Sequence, residues 1–272
     1  MTATSLSPFL KWAGGKRWLI PELKHRIPSE YDSYYEPFLG GGAIFFSLCP
    51  KRGFLADVNE NLVELYCVVR DQPADLVDVM LDHQHKHCKD YYYYMRAFTP
   101  ATPLLRAARL LYLNRTCFNG LYRVNRRGQF NVPIGSKTTV VFENETFENI
   151  SSALQNIVLC AQDFEKTLQA VGANDLVYVD PPYTVAHNLN GFLKYNDNIF
   201  SWNDQIRLRN TLEDAALRGA RILISNANHD SIRSLYHGFG NLTEIRRFSV
   251  IAGPSANRVL TSELLITVGL NE

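Results

Sequence analysis

The sequence predicts an α/β fold on a parallel sheet, interrupted by an insertion, and three observations carry that expectation. Apolar runs at Tyr34-Tyr35-Glu36-Pro37, Phe54-Leu55-Ala56-Asp57, Leu176-Val177-Tyr178-Val179-Asp180 and Ile222-Leu223-Ile224-Ser225 end abruptly in small or acidic residues. Their apolarity is continuous rather than alternating, as in strands buried on both faces. The strand–helix rhythm breaks between about residues 60 and 155, where a polar and aromatic stretch, a helical pattern and a basic patch follow one another.

Each element has its own local reason. After the first strand, Gly40-Gly41-Gly42 leads into the apolar Ala43-Ile44-Phe45-Phe46, so a ligand can approach the backbone at a helix start. Phe45 stands where the dinucleotide fingerprint needs its third glycine, which argues against NAD. Asp57 ends the next strand, where its carboxylate can accept from ribose hydroxyls; the alternative is a helix N-cap before residues 59–65. Within the insertion a helix is expected near residues 104–113. A β-hairpin is expected to turn at Arg127-Gly128, between the extended flanks of residues 123–133. The clearest helix start is Ser201, a capping residue with Asp204 three positions on; the apolar pattern continues through Ile206, Leu212, Ala215 and Ala216 and stops at Gly219.

At 272 residues with 46% apolar side chains, the chain can build one sizeable core or a domain with an inserted module. It lacks the roughly 20 uninterrupted apolar residues of a membrane span and the charged start and apolar core of a signal peptide, so a cytoplasmic protein with no membrane partner is expected. Cys49, Cys67, Cys88, Cys117 and Cys160 form no Cys-x-x-Cys pair, which fits reduced thiols. Asp82-His83-Gln84-His85-Lys86-His87-Cys88 could present ligands if extended, and is otherwise a solvated helix end; it matches no zinc spacing, and no metal is expected. Net charge is only +1, but from Asn114 to Lys137 the chain carries Arg115, Arg123, Arg126, Arg127 and Lys137 with no acid. Arginines among Asn and Gln suit phosphate contact and base-edge readout, where a plain solvated face is the alternative.

The most specific chemical signal is Asp180-Pro181-Pro182-Tyr183 after a buried strand, since open α/β sheets bind ligands beyond the carboxyl ends of their strands. Prolines deny this segment helical geometry. The Asp180 carboxylate and the Pro181 carbonyl could take the two hydrogens of an aromatic amine and so localise its lone pair, while Tyr183 stacks on the ring. Ala13-Gly14-Gly15-Lys16-Arg17 is not a phosphate loop, because Leu10 replaces its first glycine and Arg17 its hydroxyl residue. Lys16 better suits a cofactor carboxylate, with Trp12 as an aromatic wall beside a cation.

Asp180-Pro181-Pro182-Tyr183, Phe9-Leu10-Lys11-Trp12-Ala13-Gly14-Gly15-Lys16 and Glu36-Pro37-Phe38-Leu39-Gly40-Gly41-Gly42 together resemble the adenine-specific DNA methyltransferases of the Dam type. The resemblance extends to residues 114–121, Gln129-Phe130-Asn131-Val132-Pro133 and Ile224-Ser225-Asn226, nearly the whole chain in the family's motif order. It implies a doubly wound, Rossmann-like methyltransferase α/β sheet over residues 1–58 and 156–272, with an inserted helical and hairpin DNA-recognition domain over residues 59–155. It implies S-adenosylmethionine bound by Trp12, Lys16, Glu36, Pro37, Phe38, Gly40, Asp57, Asp163, Phe164 and Asp180. Asp163 and Phe164 would hold its adenine; on local signals alone they read as a cap and a core residue.

The resemblance further implies direct methyl transfer to adenine N6 in double-stranded DNA, with Asp180, Pro181, Pro182 and Tyr183 catalytic. No thiol nucleophile is called for, as Cys49 precedes its proline rather than following one. DNA contacts are expected at Lys11, Arg115, Asn119, Leu121, Arg123, Asn125, Arg126, Arg127, Pro133 and Lys137. Lys11, Leu121, Arg123 and Pro133 match base readers of GATC, and Arg126 and Arg127 suit phosphates. Lys137 stands where relatives of that specificity often carry a wedging aromatic, and Ser136 replaces a common basic neighbour, which implies GATC or a close variant. No obligate protein partner is indicated. The rival expectations are an RNA or protein methyltransferase, against which the basic insertion argues, and a DNA-binding protein on an inactive fold, against which the intact Asp180, Tyr183, Asp57 and Lys16 argue.

Overall fold

Leu176-Val177-Tyr178-Val179 has no charged side chain to keep in water, and all four residues are buried. A strand of this kind needs cover on both faces, which helices supply. The computed structural model describes residues 6–125, 127–142, 146–186, 200–248 and 260–270. Within these, the elements run α1 (Ile20–Lys24), β1 (Tyr34–Glu36), α2 (Ala43–Leu48), β2 (Gly53–Asp57), α3 (Glu60–Asp71), α4 (Pro73–Lys86), α5 (Lys89–Ala97), α6 (Pro103–Thr116), α7 (Phe147–Leu154), β3 (Ile157–Ala161), α8 (Phe164–Gln169), β4 (Leu176–Val179), α9 (Trp202–Leu217), β5 (Arg221–Ala227), α10 (Asp230–Leu235), β6 (Asn241–Phe248) and β7 (Leu260–Val268). This is a mixed α/β fold with seven strands among the described residues.

The chain divides into two compact units, residues 1–21 with 39–162 and residues 22–38 with 163–272. These boundaries fall elsewhere than the expected 1–58 plus 156–272 and 59–155. The reason is packing: α3 lies against both β2 and β3, so the strand after the glycine loop shares a core with the helical segment that follows it.

In the first unit β2 and β3 pair in parallel, Gly53 opposite Ile157 through Asp57 opposite Ala161. Asn59 caps α3, its side chain accepting from Leu62 N at 3.2 Å, so the cap that Asp57 could have provided is supplied two residues later. α6 begins at the cap Thr102 with Pro103 in its first turn, and buries Leu110, Leu111, Tyr112 and Leu113. Beyond it the chain forms the expected hairpin, though only as isolated antiparallel bridges, Val124 to Phe130 and Cys117 to Ile134. Gly128, at φ +73°, lies in the turn, its N–H donating to Asn125 O at 2.9 Å. The return segment is held by α4 and α5: Tyr92 Oη donates to Val132 O at 2.9 Å, Gln84 Nε2 to Thr138 O at 3.0 Å, and Val140 N to Gln84 Oε1 at 2.6 Å.

The histidine-rich stretch is the end of α4, not an extended segment, so its histidines do not alternate across a strand. His83 is buried, with Nδ1 2.7 Å from Tyr91 Oη, its ring stacked on Tyr112 at 4.8 Å, and Nε2 buried without a hydrogen-bond partner among the described residues. Burial pulls its pKa down to about 4. Between pH 6.5 and that value the unfolded imidazole takes up a proton that the folded one refuses, so stability present above pH 6.5 falls by up to about 3 kcal/mol. Urea melts of wild type and His83→Gln at pH 7 and pH 4.5 check this: the wild type should lose more stability on acidification, and equal losses would show that His83 is not the cause.

In the second unit β1, β4 and β5 pair in parallel, β7 runs antiparallel to β5 and β6 antiparallel to β7. The antiparallel pair was not expected. The core is built from Val177, Val179, Ile222, Ile224, Leu264 and Ile266 of the strands, with Phe164 and Leu168 of α8 and Leu208 and Leu212 of α9. α9 starts at the predicted residue, with Ser201 and Asp204 in a reciprocal capping box, and ends before Gly219 at φ +94°.

Candidate active site and DNA-facing residues

The peptide after β4 is tied down by the elements beside it. Asp180 Oδ1 accepts from Ser225 Oγ of β5 at 2.8 Å, and Ser225 Oγ lies 3.0 Å from Tyr178 Oη. Pro182 O accepts from Gln205 Nε2 of α9 at 3.4 Å, and Gln205 Oε1 accepts from Asn226 Nδ2 at 3.2 Å, both side chains being buried. Tyr183 Oη donates to the buried carboxylate of Glu263 on β7. Burial, then the charge of Asp180, pushes the phenols of Tyr178 and Tyr183 far above their usual range, so both stay protonated donors. Ser225 was singled out in the sequence without a role; Gln205 and Glu263 carry no local signal.

The other expected cofactor residues of this unit lie deeper. Glu36 is buried and accepts from Tyr34 Oη at 2.7 Å; Pro37 is buried beside it. Phe38 is half-buried and stacks on Phe164 at 5.5 Å. Asp163 caps α8, accepting from Glu165 N at 2.9 Å, and Phe164 is a core residue at 2% exposure. The cap-and-core alternative therefore describes this pair here. Arg207 of α9, which the sequence did not flag, grips both Asp163 oxygens at 2.8 and 3.0 Å and lies 4.3 Å over the Phe164 ring. Phe164 thus has Arg207 on its ring and Phe38 stacked against it.

In the first unit the glycine turn and Asp57 form one arrangement. Asp57 Oδ2 accepts from Gly40 N and Oδ1 from Asn59 N, each at 3.0 Å, while burial raises the carboxyl's pKa above its usual value. Gly40 has φ +48°, and a Cβ there would stand 2.9 Å from Trp12 Cδ1, so only glycine lets the indole lie against this turn. Trp12 stacks on Tyr122 at 4.8 Å. Lys16 is buried and Nζ donates to Gly14 O at 3.0 Å.

Of the residues expected to meet DNA, Lys11, Asn119, Leu121, Arg123, Arg127, Pro133 and Lys137 are exposed and Asn125 is half-exposed; Arg126 lies outside the described residues. The Lys11 main chain is bracketed by Asn114, at 3.0 Å to Oδ1 and 2.7 Å from Nδ2, and its stem passes so close to Gly120 that a Cβ there would be 2.6 Å from Lys11 Cδ. Partial burial, then the neighbouring charge of Lys137, lowers the Lys11 pKa, so the two ammonium groups share one locality. Arg123 Nε donates to Asn131 Oδ1 at 2.9 Å. Asn125 Oδ1 accepts from Arg127 N and Gln129 N at 2.9 and 3.0 Å and so shapes the turn. Arg115 departs from expectation. It is 6% exposed, donates to Val140 O at 2.6 Å and Phe9 O at 3.1 Å, and lies over Phe142 at 4.9 Å, so its guanidinium is buried against the frame rather than on the surface.

Among the described residues no helix is long and apolar enough to cross a membrane. Comparison with known proteins supplies the family. Residues 12–250 match the family of D12 class N6 adenine-specific DNA methyltransferases. The chain is 36% identical to the type II methyltransferase M1.LlaDCHI of Lactococcus lactis subsp. cremoris, over 97% of this chain and 95% of that protein. It is 36% identical to the type II methyltransferase M.MjaIII of Methanocaldococcus jannaschii, over 86% and 89%. It is also 33% identical to the DNA adenine methylase of Haemophilus influenzae, over 96% and 93%. With a family match over most of its length and relatives aligned nearly end to end, this chain belongs to the D12 class of N6 adenine-specific DNA methyltransferases.

Proposed function

We propose that this enzyme transfers the methyl group of S-adenosylmethionine to N6 of an adenine turned out of double-stranded DNA, within GATC or a close variant, on a doubly wound, Rossmann-like sheet. In this reading residues 59–155 serve as the DNA-recognition segment. One observation supports it above the others: Asp180 follows a fully buried strand and its carboxylate is held by Ser225 Oγ at 2.8 Å. The cofactor supplies an electrophilic methyl group on a sulfonium. Asp180 and the Pro181 carbonyl accept the two amine hydrogens, which draws the nitrogen lone pair out of the ring. Tyr183, fixed through Glu263, presents its ring to the base.

The donor set of the chain fits the cofactor. The Asp57 carboxylate beside a glycine turn suits a ribose diol, the Trp12 face suits a sulfonium, and the Lys16 ammonium suits the methionine carboxylate. Gly40 belongs to that turn, and in the second unit Glu36, Pro37, Phe38, Asp163 and Phe164 are the further residues assigned to the cofactor. Lys11 and Arg123 read guanines, Leu121 and Pro133 meet thymine methyls, and Asn119, Asn125, Arg126, Arg127 and Lys137 contact the duplex. Lys137 cannot stack in the space of a flipped base, so discrimination at the central positions is looser. The test is to incubate unmethylated plasmid with the protein and S-adenosylmethionine carrying a labelled methyl, then sequence for modified adenine. Label at N6 of adenine within a motif that begins with G is expected; an unlabelled plasmid beside labelled RNA or protein in parallel incubations would overturn the function, and a motif without that G would remove Lys11 as its reader.

Exposed Arg127 is expected to act on phosphate. Arg127→Ala should weaken binding to all duplexes alike and flatten the log–log salt dependence by about one unit. Titration of labelled duplexes from 50 to 200 mM salt measures this directly; an altered sequence preference at unchanged slope would make Arg127 a base reader instead.

A further inference from the structure

The proposed function uses Ile224-Ser225-Asn226 only through the contact of Ser225 to Asp180 and assigns the segment no role in the reaction. Neighbouring side chains on a strand face opposite ways, and here Asn226 turns to Gln205 while Ser225 turns to Tyr178 and Asp180. The register of β4 and β5, Tyr178 opposite Leu223 and Val179 opposite Ile224, brings Ser225 beside Asp180. Ser225 has a single proton. A carboxylate only accepts, so that proton goes to Asp180 Oδ1, and the phenol of Tyr178 must then donate to Ser225 Oγ. The direction Tyr178 to Ser225 to Asp180 is thereby determined, and both donors are buried at 1% exposure.

We infer that Ser225, backed by Tyr178, is a positioning residue that sets the plane of the Asp180 carboxylate against the target amine. The inference rests on the reading of Asp180 as the amine acceptor. A carboxylate held by one buried hydroxyl cannot rotate about its last bond without breaking that contact, so its acceptor directions are preset. Among the described residues, Tyr178 and Tyr183 feel the charges of Asp180 and Glu263, and neither phenol competes as a charge because both stay protonated.

Ser225→Ala, Ser225→Thr, Tyr178→Phe and Asp180→Ala test this side by side on the full-length enzyme. Ser225→Ala should lower kcat about tenfold, leave KM for DNA and for S-adenosylmethionine within about twofold, and move the acid limb of the kcat–pH profile upward, because the carboxylate loses a donor that favours its charge. Ser225→Thr, which keeps the hydroxyl, should recover most of kcat, and Tyr178→Phe should show a smaller loss with the same upward acid limb. Wild-type kcat and acid limb in Ser225→Ala, beside an inactive Asp180→Ala, would overturn the inference alone. Equal losses in Ser225→Ala and Ser225→Thr with a lowered Tm would assign Ser225 to packing and overturn it too. An active Asp180→Ala would overturn both the reading of Asp180 and the inference built on it.

Discussion

Asp180→Ala is expected to lower methyl transfer by about 100- to 1,000-fold or more, the loss typical when a preorganised polar group at the reacting centre is removed. The residue stands just past β4 rather than in its core, and its contact to Ser225 is at the strand end. The fold should therefore survive, with Tm changed little and duplex binding retained. Removing the carboxylate also leaves the Ser225 hydroxyl without its acceptor, so a modest destabilisation is expected beside the kinetic loss. Single-turnover transfer of labelled methyl to a duplex separates the two effects. A variant with more than a tenth of wild-type turnover, at equal folded fraction, would remove Asp180 from the chemistry.

Asp57→Ala is expected to weaken S-adenosylmethionine binding by about 1–3 kcal/mol, roughly 5- to 150-fold, through loss of charged hydrogen bonds. Two contributions add. One is the acceptor itself; the other is the glycine turn, since Asp57 holds Gly40 N and Asn59 N. Calorimetry on Asp57→Ala and Asp57→Asn resolves them. The two backbone donors use different oxygens; an amide keeps one acceptor and turns an NH2 toward the other N–H, so Asn should recover only part of the ligand-free Tm and less of the affinity. Unchanged affinity in both variants would confine Asp57 to holding the turn.

The strands that were legible in the sequence are those with one kind of environment. β1, β2, β4 and β5 show up as short runs without alternation, because a strand covered on both faces selects apolar side chains at every position. β6 escapes that search. Its Asn241-Leu242-Thr243-Glu244-Ile245 mixes polar with apolar residues and buries only Ile245, so it offers neither a continuous apolar run nor a clean alternation. β3 escapes for a related reason: Val158 is 48% exposed, so its run is apolar without being buried throughout.

The candidate site shows the same division between local and distant signals. Asp180-Pro181-Pro182-Tyr183 and the glycine turn are contiguous and could be read directly. Their supports could not, because Ser225 is 45 residues from Asp180 and Glu263 is 80 from Tyr183. Arg115 misled for a physical reason. Charge counting placed it in a basic patch, whereas it lies on the buried face at the end of α6 and its two terminal nitrogens donate to main-chain carbonyls. Asp163 and Phe164 are the reverse case, where the plain local reading describes what the side chains do and Arg207 binds them from 44 residues away.

The grip on the hairpin's return segment has a consequence for how such an enzyme can diverge. Tyr92, Gln84 and Arg115 all hold the main chain, at Val132 O, Thr138 O, Val140 N and Val140 O, and Phe118 N and Gly135 N are likewise bonded to carbonyls. None of these anchors touches the side chains of Pro133, Ser136 or Lys137, which are exposed between them. Substitutions there leave every main-chain anchor in place, so the outward face of this stretch can change while its mount is kept. On the proposed assignment of this stretch to DNA, single exchanges at 133, 136 and 137 would shift target preference with little penalty in stability for each step.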